Sequence, residues 1–247
     1  MKRTIQQDVA WTLVSVGPVF GTDGLVRHLA RLLLLAGAFS AATAFAQQDR
    51  YVDEARATVA ALGKQWNGQV NTATRAAYVK LQQQVDPGPV KQISDISYGS
   101  HDLQNFDLFY MEGSTEPGPV VIYFHGGGLT GGDKVGADGL IYSNISRFIA
   151  RMGGVGVNAN YRLVPEVRFP AGAEDLHLLL EWVHENVADY GGDPGSVFLM
   201  GNSAGSRHVA TYLFHEASQF DDGPRIIGAM LGSGSYTASH SDSGRAY

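Results

Sequence analysis

Val197-Phe198-Leu199-Met200-Gly201-Asn202-Ser203-Ala204-Gly205 is the stretch that decides the fold. Four apolar residues, Val197–Met200, read as a strand, and helical spacing takes over from Ala204 to about Ala217. Between them lies G-x-S-x-G. A sharp strand-to-helix turn needs small residues on both sides of its serine, lifts the hydroxyl above the strand ends and sets it at a helix N-terminus. The motif alone is weak evidence here, because 31 of 247 residues are glycine against a usual share of roughly 7%. Its place between an apolar strand and a helix is what gives it weight.

Upstream the same alternation repeats. Val120-Val121-Ile122-Tyr123-Phe124 is a continuous apolar run, as expected of a strand covered on both faces of a parallel sheet. A helix is expected over about Leu140–Met152 and a strand over Val155–Tyr161. A helix over about Ala173–Tyr190 turns Leu176, Leu179, Leu180, Val183 and Val187 inward, and Ile226–Leu231 is a further strand. This is an α/β domain with a mostly parallel sheet. Ahead of it, Val90–Tyr98 and Leu103–Met111 read as antiparallel neighbours. Two helices precede those: Tyr51–Leu62, with Val52, Ala55, Val59 and Leu62 at helical spacing and Asp49 as cap, and about Thr74–Val85, with Tyr78, Leu81 and Val85 on one face. Asp86-Pro87-Gly88-Pro89 stops the second. Gly232–Tyr247 is polar and predicts no element.

The composition is globular, with 44% hydrophobic and 17% charged residues. A net charge of −6 argues against nucleic acid, whose partners carry basic faces. The chain has no cysteine, which excludes a disulfide framework, a thiolate nucleophile and a Cys-based zinc site. No histidine spacing suggests a metal. Leu32–Ala46 is uncharged, follows Arg27, His28 and Arg31, and ends Ala44-Phe45-Ala46. These are the marks of a secretory signal peptide cleaved after Ala46, and the run is short of the roughly 20 residues of a membrane span. Residues 1–24 fit no n-region and read as a start placed too early, the true one lying near Leu25 or Val26.

His125-Gly126-Gly127-Gly128 follows the strand ending at Phe124. Glycines there let backbone N–H groups approach a substrate oxygen, and such donors stabilise the negative charge of acyl transfer by several kcal/mol. His125 is expected to shape the loop rather than act as a base.

Three stretches together resemble the hormone-sensitive-lipase-like carboxylesterases of the α/β-hydrolase fold. They are HGGG at 125–128; Tyr161-Arg162-Leu163-Val164-Pro165-Glu166 through Phe169-Pro170-Ala171 to Asp175; and Gly191-Gly192-Asp193-Pro194 leading into GNSAG at 201–205. The likeness is strong from about 118 to 216. It implies Ser203 as nucleophile and an oxyanion hole of the Gly127, Gly128 and Ala204 N–H groups, with His125 and Gly126 supporting the loop. It implies structural roles for Asp175 and Arg162. It also implies a small-molecule ester of small or medium acyl group as substrate, without cofactor. Residues 47–89 fall where the family places part of a helical cap, and 90–247 would be an incomplete hydrolase domain. Gly132-Asp133-Lys134 is reminiscent of a formamidase-like branch, which keeps amide or formamide hydrolysis open. Ser206 stands where the family more often has glycine.

The triad order in this fold is Ser, then Asp or Glu, then His. The family places its acid about eighty residues or more beyond the nucleophile, whereas only residues 204–247 follow Ser203. The acid and the histidine are therefore expected to be missing, together with the last strands. His240 and Asp242 are in reversed order, and His208 is about 140° around the helix from the turn. His177, His184 and His215 read as helix-surface or half-buried residues. The reading is an exported serine esterase represented by a truncated, inactive chain with an exposed, aggregation-prone edge at Ile226–Leu231. The alternative from another class is a non-catalytic binding protein of the same fold. The oligomeric state is left open.

Overall fold

The computed structural model describes residues 50–65, 67–84, 88–136, 138–215, 218–219 and 226–236. Tyr51–Tyr247 forms one compact unit. The expected signal segment, Asp49, Val85–Pro87, His240 and Asp242 lie outside the described residues.

A helix over 51–61 (α1) precedes α2, Gly68–Gln82. The strands are β1 Val90–Ser97, β2 Asn105–Met111, β3 Gly118–Phe124, β4 Val155–Ala159, β5 Gly192–Asn202 and β6 Ile226–Gly232. The further helices are α3 Ser143–Arg151, α4 Ala171–Asn186 and α5 Ala204–Phe214. Among the described residues, these six strands form one mixed sheet in the order β1-β2-β4-β3-β5-β6. β1 and β2 are antiparallel, β2 runs antiparallel to β4, and β4, β3, β5 and β6 are parallel.

Side-chain alternation explains the layers. Every residue of β4 is buried, as a strand covered on both faces must be. Gly156 turns toward Ser146 of α3, while Val155 and Val157 join Leu176, Leu179, Leu180 and Val183 of α4 in the main core. The five inward residues expected of that helix are all fully buried. Register aligns Phe124 with both Ala159 and Gly201. Three parallel strands thus end level, and the chain after each emerges at one rim, where α/β sheets bind their ligands.

Several boundaries depart from the sequence-based expectation, each for a local reason. α2 starts six residues early, because the Asn67 side chain accepts from Val70 N–H at 2.9 Å and caps it. Its Tyr78 is exposed rather than inward. α3 starts late, because Asp138 Oδ1 takes the Leu140 and Ile141 N–H groups at 3.0 and 2.9 Å in a turn. The long helix ends at Asn186 and tightens into a 3₁₀ turn, Val187–Tyr190. β5 runs well beyond Val197–Met200, down to Gly192, which pairs with Gly118 of β3. At the far edge, Ile227 and Met230 of β6 are exposed. Among the described residues no helix is long and apolar enough to cross a membrane.

Candidate active site

Ser203 sits at the β5–α5 junction with φ 52° and ψ −110°, a conformation that an L-residue adopts only when its surroundings hold it there. Its N–H donates to Gly232 O at the end of β6 (2.7 Å), and its side chain is exposed at the rim. Glycine is required on both sides by close approach. A Cβ on Gly205 would lie 2.6 Å from His125 O and run into Phe124 O. One on Gly201 would lie 2.6 Å from the backbone of Gly205 and Ser206. The first turn of α5 therefore rests directly on the end of β3. Ser206 is fully buried, and its hydroxyl shares one proton between Gly201 O (2.7 Å) and Gly232 O (2.8 Å). A glycine at 206 could not tie β5 to β6 in this way.

The loop after β3 meets this turn. A Cβ built on Gly126 would stand 3.2 Å from Ser203 Cβ, and Gly127, at φ 154°, folds back so that Gly131 N–H bonds Gly127 O at 3.1 Å. Gly126 and Gly127 line one cleft with Ser203, and Ala204 follows the serine as the first residue of α5. His125 is buried, stacks on the Tyr161 ring at 4.4 Å and keeps Nδ1 2.8 Å from Gly126 O. Tyr161 O–H donates to His125 O at 2.7 Å. Burial holds the His125 imidazole below its ordinary range, against the pull of the Gly126 carbonyl.

At its other end the loop is anchored by Lys134, which is 5% exposed. Its ammonium bonds Asp95 Oδ1 at 2.6 Å and Asp107 Oδ1 at 3.1 Å, and Asp107 is 1% exposed. Burial works against the ammonium, but the two carboxylates outweigh it and raise Lys134 above the usual lysine range. Lys134 N–H donates to Asn160 Oδ1 at 2.6 Å, and Asn158 Nδ2 donates to Lys134 O. Asp95 reaches Lys134 because β1 is irregular between Ile93 and Ile96, with Asp95 at φ 57°. Sequence reading singled out Lys134 only as part of Gly132-Asp133-Lys134. Nothing in spacing reveals Asp95, Asp107, Asn158 or Asn160, which come from three different strands or their ends.

A cleft of about 1040 Å³ opens on Ser203 and is lined by Gly126, Gly127, Asp133, Tyr142, Asn202 and Ser233, and by Asn71 and Arg75 of α2. No histidine is among its described lining residues. His208 is buried on the far side of Tyr161, ring centres 4.4 Å apart, and burial, with His125 and Arg207 nearby, pushes it down to about 3. His177 Nδ1 faces Ser218 O at 3.1 Å, His215 Nδ1 faces Ser218 Oγ at 2.8 Å, and His184 is exposed. Asp175 is fully buried and receives Arg162 N–H at 2.8 Å, Arg162 Nε at 2.6 Å and Gln104 Nε2 at 2.8 Å. The pair ties the start of α4 to the chain leaving β4.

The family described as BD-FAE matches residues 106–224. Carboxylesterase NlhH of Mycobacterium tuberculosis is 41% identical over 118 residues, which are 46% of this chain and 34% of that one. Versiconal hemiacetal acetate esterase of Dothistroma septosporum is 32% identical over 133 residues, 53% of this chain and 39% of that one. The chain thus spans between a third and two fifths of the length of these curated relatives. Among solved structures, esterase B of Lactobacillus rhamnosis inhibited by a tributyrin phosphonate superposes with a TM-score of 0.52 at 23% identity, covering 70% of this chain and 57% of that one. The chain thus has the α/β-hydrolase fold, and around its serine turn its sequence is similar to these esterases.

Proposed function

We propose that this is the nucleophile-bearing part of an exported serine esterase acting on small or medium acyl esters. The observation that carries the reading is Ser203, held at positive φ on the rim with Gly126 packed against it. In the reaction, Ser203 Oγ attacks the ester carbonyl carbon and its proton passes to a histidine base. The carbonyl electron pair moves onto the oxygen, where the Gly127, Gly128 and Ala204 N–H groups receive the charge. Collapse expels the alcohol, which takes up the proton, and water hydrolyses the acyl-enzyme.

The base and its orienting acid are read as lying outside this chain. No histidine is among the described lining residues of the cleft. A serine without its base keeps a high pKa, and in a comparable hydrolase loss of the base costs on the order of a million-fold in turnover. The 247-residue chain should therefore hydrolyse p-nitrophenyl acetate little above background. Extension by a family-type segment carrying Asp and His should restore turnover, and Ser203→Ala should then abolish it. Robust activity of the chain alone, lost in His240→Ala, would overturn the reading. Export is proposed from Leu32–Ala46 and is checked by N-terminal sequencing, which should find Gln47 first on exported protein; Met1 retained on cytoplasmic protein would refute it.

A further inference from the structure

The wall of the Ser203 cleft contributed by α2 is polar. Asn71 and Arg75 stand four residues apart, on one helix face, and both line the cleft with Ser203. Arg75 Nη2 donates to Asp138 Oδ2 at 3.2 Å, and its guanidinium carbon lies 5.8 Å from the Tyr142 ring centre. A guanidinium carries five N–H donors in a fixed fork, so one contact at one end leaves donors for a ligand. Its side chain is 36% exposed and so about two thirds withdrawn from water. Asp133, the other charged lining residue, is turned to its own loop: Val135 N–H and Asn160 Nδ2 reach its carboxylate at 2.8 and 3.3 Å. Among the described lining residues there is no aliphatic side chain, and Arg75 is the one cation.

We propose that Arg75 is a substrate-binding residue that selects esters bearing a carboxylate, half-esters of short dicarboxylic acids. The inference rests on reading Ser203 as the reacting residue of this cleft. The ester carbonyl would lie at Ser203, and the distal carboxylate would take charge-assisted hydrogen bonds from the Arg75 fork. Tyr142 and Asp138 hold the guanidinium plane, which restricts where that carboxylate can sit.

The test needs no turnover. The full chain, labelled with nitrogen-15, is titrated with monomethyl succinate, methyl butanoate and acetylcholine while the amide signals of Gly126, Gly127 and Ser203 are followed. Monomethyl succinate should bind about tenfold more tightly than methyl butanoate. Arg75→Gln should erase that preference, and Arg75→Lys, which keeps the charge without the fork, should retain part of it. Asp138→Asn separates recognition from scaffolding: it frees the guanidinium and should preserve or widen the preference. Loss of the preference in Asp138→Asn equal to that in Arg75→Gln would reduce Arg75 to a tie between α2 and the loop. Equal affinity for the two esters, or preference for acetylcholine, would overturn the proposal and leave the esterase reading standing. If none of the three esters moves these amides, the esterase reading of the cleft falls with it.

Discussion

The two loops that meet at Ser203 are both rich in glycine but are held by different means. The turn at 201–205 is held by backbone against backbone: Gly205 rests on the Phe124 and His125 carbonyls, and Ser203 N–H bonds Gly232 O. The loop at 125–136 is held by side chains that reach it from elsewhere, with Tyr161 and the His125 ring at one end and Lys134, Asp107, Asp95 and Asn160 at the other. A turn of the first kind tolerates no added atom. A loop of the second kind tolerates substitution within itself but fails when a distant partner is removed.

Removing the loop's anchor should have the largest effect. Lys134→Met leaves Asp107 buried without its cation, a change that costs about 3–5 kcal/mol. Urea denaturation should show it, and amide exchange should rise over Gly126–Lys134 ahead of the turn at Ser203. Uniform loosening of both segments would show that the two loops are held by the same contacts. Gly205→Ala should come next, at about 3 kcal/mol, the upper end of overpacking costs. Here the turn and the end of β3 must move together, so protection should fall at Ser203 and at Phe124 alike. A fully native melt for this variant would show that the contact can relax.

Stability should also depend on pH, because Tyr161, which supports the 125–136 loop, lies between the rings of His125 and His208. His208 stands at about 3 in the folded chain and near 6.5 when unfolded. Between those values the unfolded chain holds the extra proton. Stability is therefore complete above about pH 6.5 and is lost as pH falls toward 3. By pH 5 the loss from this residue is about 2 kcal/mol, and His125, shifted the same way, adds to it. Melting temperatures from pH 7 to pH 5 should fall less steeply in His208→Gln than in the parent, and parallel slopes would remove His208 as the cause. The smallest effect is expected from Ser206→Ala. It removes one buried hydroxyl shared by two carbonyl groups and should cost about 1 kcal/mol. The loss should concentrate in exchange at β6 and the turn and leave the 125–136 loop unchanged.

The difference between the loops also explains how much could be read in advance. The small residues that the turn requires fall within five consecutive positions, so G-N-S-A-G records them, although the carbonyl groups they rest on belong to β3 and β6. The inward face of α4 was equally legible, because Leu176 to Val187 recur at the helical period. The extent of β5 was not, since Gly192-Asp193-Pro194-Gly195 carries no strand pattern and is drawn in by pairing with β3. Nor was the start of α2, which depends on one asparagine cap rather than on an apolar face.

What the sequence alone determined about this protein is the alternation of strand and helix, the serine turn and the glycine loop. Each is set by residues adjacent in the chain, through backbone sterics and apolar periodicity. Only the tertiary structure decided which polar groups hold that loop and what walls the cleft. Lys134 meets Asp95 and Asp107 across 39 and 27 positions of sequence, and Arg75 enters the cleft 128 positions before Ser203. Charge and hydrogen bonding act over a few ångströms of space, and no periodicity along the chain records which distant residues folding will bring that close.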